Sequence, residues 1–279
     1  MKMQENYKPK VSVLIINHNN ARFIPKCINS IINQTYSNYE IIFFDDNSND
    51  ESLKVIKKFY KKKNFLLISN KKNSQFGSLN QMNGYYQSLK KSKGDIIFFL
   101  DSDDFFRPNK IKIITEAYKK NVTKNIIMDM PIHKYPKKNI KKKIKTRLFD
   151  NYWPNFSPQS CISMRREFAY KVFQAVYFKK FHDIWLDFRI ATYAKHKNTI
   201  CIINQYLTFY RQSNTQISSN FIFLGLNWWR RRYQAHQYIK YFFKQNNIYY
   251  RINIDYLMCK FVNIFIKNNE NYCTSNRKK

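Results

Sequence analysis

The sequence predicts an α/β protein whose mostly parallel sheet is covered by helices on both faces. Short runs of apolar, β-branched and aromatic residues recur along the first half of the chain, and segments with helical periodicity separate them. These runs are apolar throughout rather than alternating, which is typical of strands buried on both faces. The repeated order of strand, helix and strand then predicts parallel pairing through crossover connections.

Five strands are predicted in the first half of the chain. They are VSVLII (11–16), YEIIFF (39–44), FLLIS (65–69), DIIFFL (95–100) and NIIMDM (125–130). A helix follows the first strand, with Pro25 in its first turn, where proline is accepted. A second helix is predicted behind a capping box formed by Ser48 and Glu51. A third helix is predicted over residues 78–90, and a fourth is predicted to begin near Pro108.

The second half is less regular. Residues 133–147 are rich in lysine and lack clear periodicity, so they are predicted as a solvated loop, with specific anion binding as the alternative. Residues 182–194 are predicted to be helical and residues 199–212 to form a strand. From about residue 220, two helices dense in aromatic and basic residues are predicted.

The formal net charge is +32, from 50 Lys and Arg against 18 Asp and Glu. Such a balance is typical of proteins that bind nucleic acid or an anionic membrane surface. The excess is mostly lysine and accompanies abundant Asn, Ile, Phe and Tyr, so A-plus-T-rich coding explains it equally well. The five cysteines are widely spaced without a CxxC pair, which predicts reduced thiols and neither a zinc site nor a disulfide framework.

Neither a signal peptide nor an apolar run long enough to span a bilayer is expected from the sequence. The expectation is therefore a cytoplasmic protein, either soluble or peripheral on the inner face of the membrane. The two C-terminal helices leave both options open. Their mixture of aromatic and basic residues suits an anionic lipid surface, and it also suits a helical appendage that packs its aromatic side chains on the catalytic domain.

Polar clusters follow three of the predicted strands, at residues 17–20, 45–50 and 101–104. In parallel α/β sheets, ligands bind beyond the carboxyl ends of the strands. The sequence therefore predicts one ligand site where these three clusters meet.

No glycine-rich phosphate loop is present, and the chain has only four glycines. The phosphates of a nucleotide would need another partner, and a divalent metal on Asp101, Asp103 and Asp104 would serve, because carboxylate oxygens suit Mg²⁺ and Mn²⁺. The alternative is an Asp-rich turn, with Asp104 predicted to cap the helix near Pro108.

Two further pairs of residues have both a structural and a functional interpretation. Asp45 and Asp46 end the second strand, where they either complete a turn or accept hydrogen bonds from a base or ribose. His182 and Asp183 precede a predicted helix. Either the histidine is structural and the acid favours the positive end of the helix, or the pair is catalytic, with the carboxylate as general base.

Four motifs, VSVLIINHN, YEIIFFDDNSND, GDIIFFLDSDD and HDIWLDFRI with LTFYRQ, make residues 11 to about 215 resemble family 2 glycosyltransferases. That family consists of inverting enzymes of GT-A fold, so the resemblance implies a Rossmann-like GT-A sheet here. Two positions depart from the usual pattern. The first-strand motif reads Ile16, Asn17, His18 and Asn19 instead of Pro-Thr-Tyr-Asn, and Met82 stands beside Asn83 where an arginine is common.

The resemblance implies roles for individual residues. Asp46 would read the nucleobase, usually uracil, and Asp101 would lie toward the ribose and sugar. Asp103 would ligate the metal, Mn²⁺ or Mg²⁺, and Asp183 would be the general base. Arg211 would neutralise the departing diphosphate. The implied nucleotide-sugar-binding set is Ile16, Asn17, His18, Asn19, Asp46, Asn83, Asp101, Ser102 and Arg211.

The predicted protein is thus an inverting, metal-dependent glycosyltransferase of the hexosyltransferase type, acting in cell-surface polysaccharide or glycan synthesis. It would move a sugar from a nucleoside-diphosphate sugar, most often UDP-linked, to a glycan or lipid-linked acceptor. Its catalytic domain would cover residues 1–215, with nucleotide-sugar binding in 1–130 and the acceptor side in 131–215. Residues 216–279 would form the helical appendage.

Three other classes stay open at this point. A basic nucleic-acid-binding protein is favoured by the charge, but the carboxylates at the strand ends argue against it, and no nucleic-acid partner is expected. A nucleotidyltransferase on a related α/β scaffold would release pyrophosphate from a nucleoside triphosphate. A non-catalytic relative is disfavoured, since Asp46, Asp101, Asp103 and Asp183 are all retained.

Overall fold

The computed structural model describes residues 8–60, 64–143, 153–212 and 222–275. These residues form nine strands: β1 (Val11–Asn17), β2 (Tyr39–Asp45), β3 (Phe65–Ser69), β4 (Ile96–Asp101), β5 (Phe105–Phe106), β6 (Ile126–Lys134), β7 (Asn139–Lys141), β8 (Ile162–Arg165) and β9 (Ile200–Arg211). They also form eight α-helices: α1 (Ile24–Ile32), α2 (Ser52–Lys57), α3 (Gly77–Lys91), α4 (Lys110–Lys120), α5 (Arg166–Val176), α6 (Leu186–His196), α7 (Leu226–Gln245) and α8 (Ile254–Ser275).

The chain divides into two compact units. The first consists of residues 1–178 and 185–212, and the second of residues 179–184 and 213–279. The predicted domain boundary near residue 215 stays a prediction.

The sheet of the first unit has the order β3-β2-β1-β4-β8-β6-β9-β5, with β7 paired to the edge of β6. β3, β2, β1 and β4 pair in parallel, as predicted. β8 lies antiparallel between β4 and β6, so the fifth predicted strand does not adjoin the fourth. The α/β class is confirmed. The sheet is mixed, because β5, β7 and β8 pair antiparallel with their neighbours while β1–β4 and the pair of β6 and β9 are parallel.

Both faces of the sheet are buried, which explains why the strands are apolar throughout. Val13 and Ile15 of β1 pack in the core that lies under α1 and α4. Leu14 and Ile16 point the other way, into the core shared with α3, α5 and α6. Successive side chains of a strand alternate between the two faces, so a strand between two helical layers has no polar side.

Two predictions of helix capping are wrong. Ser48 and Glu51 do not form a capping box, because the Ser48 hydroxyl donates to Asp45 and the amide of Ser52 donates to Asp50. Asp104 does not cap the fourth helix either. That helix begins at Lys110, and no side chain caps it.

The Lys-rich segment is also more ordered than a solvated loop. Residues 133 and 134 end β6, and Asn139–Lys141 form β7, which pairs back on β6 in an antiparallel hairpin. Residues 144–147 of the segment lie outside the described residues.

In the second unit, α7 and α8 are the two C-terminal helices that the sequence predicts, and they pack together. Asn263 of α8 donates to the carbonyl oxygen of Trp229, and Arg232 of α7 pairs with Asp255 of α8. The two helices therefore run antiparallel. Within the described part of the chain, none of the helices combines the length and the hydropathy needed to cross a membrane.

Candidate active site

The candidate site lies where β1, β2 and β4 end. The register pairs Asn17 with Asp45 and Ile16 with Asp101, so the three strands end at the same level. Parallel strands carry their carboxyl ends to one edge of the sheet. The predicted convergence of polar residues from three strands is therefore present in the structure.

The two neighbouring acids of β2 have different surroundings. Asp45 is buried and accepts hydrogen bonds from the Asn17 amide at 2.8 Å and the Ser48 hydroxyl at 2.7 Å. These bonds tie the end of β2 to the end of β1, which is a structural role. Asp46 accepts a side-chain bond from Asn70 at 2.9 Å, and burial raises the pKa of its carboxyl although Asn70 opposes the shift.

The loop after β1 is shaped by hydrogen bonds of its own side chains. The Nδ1 atom of His18 donates to the carbonyl oxygen of Asp46 at 2.7 Å, which links the ends of β1 and β2. Asn19 has a φ of 53°, a left-handed conformation that asparagine tolerates better than most residues with a side chain. Its carbonyl Oδ1 accepts from the amide of Asn49 at 2.8 Å. Ser102, fully buried, accepts from Asn20 at 3.1 Å.

Asp101 ends β4 and receives two donors from α3. The Tyr85 hydroxyl lies 2.8 Å and the Gln81 amide nitrogen 3.0 Å from its Oδ1. Burial and the charge of Asp103 raise the pKa of Asp101 to about 7, although these two donors oppose the shift. Gln81 and Tyr85 were missed in the sequence, yet their spacing of four places them on one helix face.

Gly84 explains how α3 comes so close to the strand ends. A Cβ atom at this position would lie 2.9 Å from the Phe44 ring and 3.0 Å from Ile16. Both distances are too short for ordinary contacts, so the absence of a side chain at Gly84 allows the helix to reach Asp101.

Asp104 is fixed inside the protein rather than at a helix end. Its Oδ2 accepts from Ser160 at 2.6 Å and its Oδ1 from the amide of Arg211 at 2.8 Å. Burial and the charges of Asp103 and Asp101 raise the pKa of Asp104 well above its ordinary value. Asp103 lies between Asp101 and Asp104 in the sequence and is only partly buried. Its backbone carbonyl oxygen accepts a hydrogen bond from the Arg211 side chain at 2.8 Å.

A buried ion pair is connected by hydrogen bonds to residues 101–104, which we name the acidic loop. Lys110 and Asp129 lie 2.8 Å apart and are almost entirely buried. The Lys110 ammonium also donates to the carbonyl oxygen of Ser160 at 2.7 Å, and Thr208 donates to Asp129 at 2.7 Å. Because Ser160 bonds Asp104 through its hydroxyl, the ion pair and the acidic loop form one network.

Asn83 is the donor-site candidate that lies apart from these acids. Its Oδ1 accepts from Gln87 at 3.3 Å and from the Tyr177 hydroxyl at 3.2 Å. The side chains of α3 that contact Asp101 are instead Gln81 and Tyr85. The role implied for Asn83 stays a prediction.

Asp183 belongs to the second unit, where α7 holds it. Gln234 donates to Oδ2 of Asp183 at 2.8 Å and accepts from its backbone amide at 3.1 Å. The Nδ1 atom of His182 lies 3.2 Å from the other carboxylate oxygen. Phe181 has a φ of 62°, a strained conformation for an aromatic residue, and its ring contacts Tyr238 and Tyr241.

The second unit also contains a cluster with metal-ligand residue types. His236, Asp255 and Cys259 each offer an atom within 4.8 Å of the others. Arg232, however, contacts both carboxylate oxygens of Asp255, at 2.8 and 2.6 Å. Burial raises the pKa of Asp255, but hydrogen bonds from His236 and Arg232 outweigh it and hold the pKa well below the ordinary range. Asp255 is thus already compensated, and the cluster is an ion-paired clamp between α7 and α8.

The acids at the end of β4 fit a divalent cation better. Asp101 and Asp104 both have raised pKa values, and the charge of Asp103 contributes to each shift. A cation on Asp103 would relieve this repulsion, and carboxylate oxygens are ligands that Mg²⁺ and Mn²⁺ prefer.

Comparison with known proteins agrees with this geometry. Residues 12–185 match the family model described as glycosyl transferase family 2. The chain is 38% identical over 122 residues to the poly(ribitol-phosphate) beta-N-acetylglucosaminyltransferase TarP of Staphylococcus aureus. The match covers 42% of this chain and 36% of TarP. The chain spans between 12% and 64% of the length of curated relatives of this kind.

Two solved structures show the same fold. S. aureus TarS 1-349 in complex with UDP-GlcNAc superposes with a TM-score of 0.63 at 16% identity, over 82% of this chain and 66% of that one. The mannosyltransferase PcManGT from Pyrobaculum calidifontis, in complex with GDP-Man and Mn²⁺, superposes with a TM-score of 0.54 at 12% identity. This match covers 91% of this chain and 70% of that one. The likeness confirms the GT-A fold. The chain belongs to glycosyl transferase family 2.

Proposed function

We propose that this glycosyltransferase moves a sugar from a nucleoside-diphosphate sugar, most simply a UDP-sugar, to an acceptor hydroxyl with inversion and with the help of a divalent metal. One observation carries the proposal. In a family 2 chain, Asp46 follows β2 and Asp101 and Asp103 lie at the end of β4; these strands flank β1 and end at the same edge of the sheet, where α/β proteins bind nucleotides.

The nucleoside would lie over the ends of β1 and β2. The Asp46 carboxylate would accept from the base, while Ile16, Asn17, His18 and Asn19 would line the nucleoside. This assignment is supported by the bond between His18 and the Asp46 carbonyl, which fixes the loop relative to the acid. Ser102 and Asp101 follow at the end of β4, toward the ribose and sugar.

The diphosphate would lie between the acidic loop and Arg211. Asp103 would hold Mn²⁺ or Mg²⁺, and the bound ion would supply Lewis-acid stabilisation of the leaving diphosphate. Arg211 adds a positive charge beside the same loop, since its Nε atom bonds the carbonyl oxygen of Asp103. The Mn²⁺ and GDP-Man in the PcManGT structure support a metal of this kind.

The proposed general base is Asp183. It would take the proton from the acceptor hydroxyl as that oxygen attacks the anomeric carbon from the side opposite the diphosphate. The bond between the anomeric carbon and the diphosphate oxygen breaks, and the diphosphate leaves with the electron pair. A single displacement inverts the anomeric configuration. Gln234 would orient the carboxylate, because it bonds both the side chain and the backbone of Asp183.

The acceptor would be a glycan, free or lipid-linked, in the synthesis of a cell-surface polysaccharide on the cytoplasmic side. Support comes from TarP, whose name describes transfer of N-acetylglucosamine to poly(ribitol phosphate). The complex of TarS with UDP-GlcNAc makes this donor the first to test.

A thermal-shift panel tests the donor site directly. Each nucleotide sugar is added with and without Mn²⁺, beginning with UDP-GlcNAc and GDP-Man. A ligand at about 100 times its Kd stabilises the folded state by about 2.7 kcal/mol. We expect one donor to raise the Tm only when Mn²⁺ is present. The absence of any metal-dependent shift across the panel would contradict the proposed site.

A further inference from the structure

Five basic residues lie on one face of the sheet formed by β7, β6, β9 and β5. The register pairs Lys141 with Ile132, Ile132 with Phe209, and Lys134 with Arg211. Residues paired in register point to the same face, and so do residues two apart on one strand. Lys141, Lys134 and Arg211 therefore share a face.

Two more cations join this face at β5. Phe105 and Phe209 stack with their ring centroids 4.5 Å apart. The Lys26 ammonium lies 4.1 Å from the centroid of the Phe105 ring, and the Arg107 guanidinium lies 5.8 Å from that of Phe209. We name the set of Lys26, Arg107, Lys134, Lys141 and Arg211 the cationic strip.

Among the residues of the cationic strip, Arg211 lies beside the acids Asp103 and Asp104. Within the described residues, no carboxylate forms an ion pair with Lys26, Arg107, Lys134 or Lys141. Residues 131–149 contain eight Lys and Arg and neither Asp nor Glu. Burial and the charges of Arg211 and Lys134 lower the pKa of Lys26, so these cations lie close enough to repel each other. Bound negative charge would relieve that repulsion.

One end of the strip adjoins the candidate active site. The amide of Arg211 donates to Asp104, and its side chain donates to the carbonyl oxygen of Asp103. The other end extends across β9 and β6 to Lys141 on β7. The strip crosses three strand spacings, from β5 through β9 and β6 to β7. Because paired strands lie about 4.8 Å apart, it spans about 14 Å. This is longer than a diphosphate, so the donor alone would not cover it.

We propose that the cationic strip binds the acceptor, and that the acceptor is an anionic glycan polymer with phosphate or carboxylate groups along its chain. This rests on the proposed function, since it concerns the acceptor of the same transfer reaction. The strip would hold the polymer by its charges and lead one of its hydroxyl groups to the acidic loop.

A glycan fits this face better than a nucleic acid does. Binding of single-stranded nucleic acid relies on aromatic rings on which bases stack. Two aromatic rings of the strip, Phe105 and Phe209, are stacked on each other with only 10° between their planes. Cations of the strip lie over two others, with Arg211 4.1 Å from the centroid of Phe23 and Lys141 5.3 Å from that of Tyr206. Phe105 is also buried, so its ring does not offer an open face to a base.

The test compares two charge-matched double variants. Lys134→Gln with Lys141→Gln removes two cations of the strip and leaves Arg211 in place. Lys57→Gln with Lys119→Gln removes two exposed lysines from α2 and α4 and controls for overall charge. Fluorescence anisotropy then measures the binding of labelled poly(ribitol phosphate), unsulfated chondroitin, neutral dextran and poly(U) RNA over a salt series.

We expect wild type to bind one anionic glycan polymer more tightly than poly(U), and to bind dextran not at all. The strip variant should bind that polymer about tenfold more weakly at low salt, with the slope of log K against log salt reduced by about 1.5, because two cations are removed. The control variant should match wild type. The phosphate and carboxylate polymers tell which anion the strip prefers.

Three outcomes would overturn the proposal. Equal losses in both variants would mean that the charge acts diffusely, and no loss in either would mean that the strip does not bind polymer. Tighter binding of poly(U), lost in the strip variant, would assign the face to nucleic acid. Donor shifts in the thermal panel are measured separately, so failure of the proposed function and failure of the strip are distinguishable.

Discussion

Gln234 contacts Asp183 at two points, donating to its carboxylate at 2.8 Å and accepting from its backbone amide at 3.1 Å. A side-chain amide that bonds both groups fixes the carboxylate relative to the backbone. Asp183 is the proposed general base, so its orientation should determine the rate of proton transfer. Gln234 is accordingly a positioning residue on α7.

We expect Asp183→Asn to lower kcat by about 10²-fold or more, because an amide cannot take the acceptor proton. Gln234→Ala should lower kcat by about tenfold while the KM for the donor stays unchanged. Steady-state kinetics at saturating donor measures both effects. The control is Gln245→Ala at the exposed end of α7. A normal kcat in Asp183→Asn would remove this residue from the mechanism.

Tyr85→Phe tests how α3 supports Asp101. The variant removes the 2.8 Å hydrogen bond from a fully buried hydroxyl to the carboxyl group. A hydrogen bond to a charged group contributes about 1.5 to 3 kcal/mol. We expect the donor-induced Tm shift to decrease and the donor Kd to rise by about tenfold. Tyr86→Phe, on the neighbouring position of the helix, should leave donor affinity unchanged.

The buried pair of Lys110 and Asp129 should control stability more than catalysis. Lys110→Met leaves Asp129 without its counterion in a fully buried site, which should cost about 3 to 5 kcal/mol of unfolding free energy. Urea denaturation measures the loss. The double variant with Asp129→Leu should recover most of it, and Lys112→Met, exposed on the same helix, should change stability by less than about 0.5 kcal/mol. A double variant no more stable than Lys110→Met would refute this explanation.

His133 should make the folded state sensitive to mild acid. Burial and the nearby charge of Lys142 lower its pKa to about 4, whereas an unfolded histidine titrates near 6.5. The unfolded chain therefore binds the proton first. The stabilisation is complete above about pH 6.5 and is lost as the pH falls toward 4.

Unfolding free energies measured by urea denaturation between these two pH values should fall less steeply for His133→Asn than for wild type. His196→Asn serves as the comparison. The imidazole of His196 is exposed, and burial and the charge of Lys197 also lower its pKa, so this substitution should change the slope less than His133→Asn does. Identical slopes for wild type and His133→Asn would show that His133 does not cause the acid sensitivity.

The sequence was sufficient for the parts of the fold that have continuous patterns. β1, β2 and β4 are apolar runs that end in polar clusters, so their parallel pairing and the convergence of Asp46 and Asp101 could be predicted. β8 was not predicted, because its four residues, Ile162–Arg165, are too few to show a period. Its position between β4 and β6 depends on long-range pairing.

The support of the site was harder to predict than the acids themselves. Asp104 has the residue type and position of a helix cap, but the Ser160 hydroxyl and the Arg211 amide are its partners. These partners lie 56 and 107 residues away in sequence, and rules for local structure do not identify them. Gln81 was missed for a similar reason, since only the close packing at Gly84 brings it to Asp101.

Asp103 is proposed to hold the metal required for donor turnover. Release of nucleoside diphosphate from the donor identified in the thermal-shift panel should be compared for wild type and Asp103→Ala, at the same Mn²⁺ concentration. We expect metal-dependent turnover by wild type and a loss of about 10²-fold or more in the variant, with an unchanged Tm before ligand is added. Turnover by Asp103→Ala equal to that of wild type would contradict this proposal.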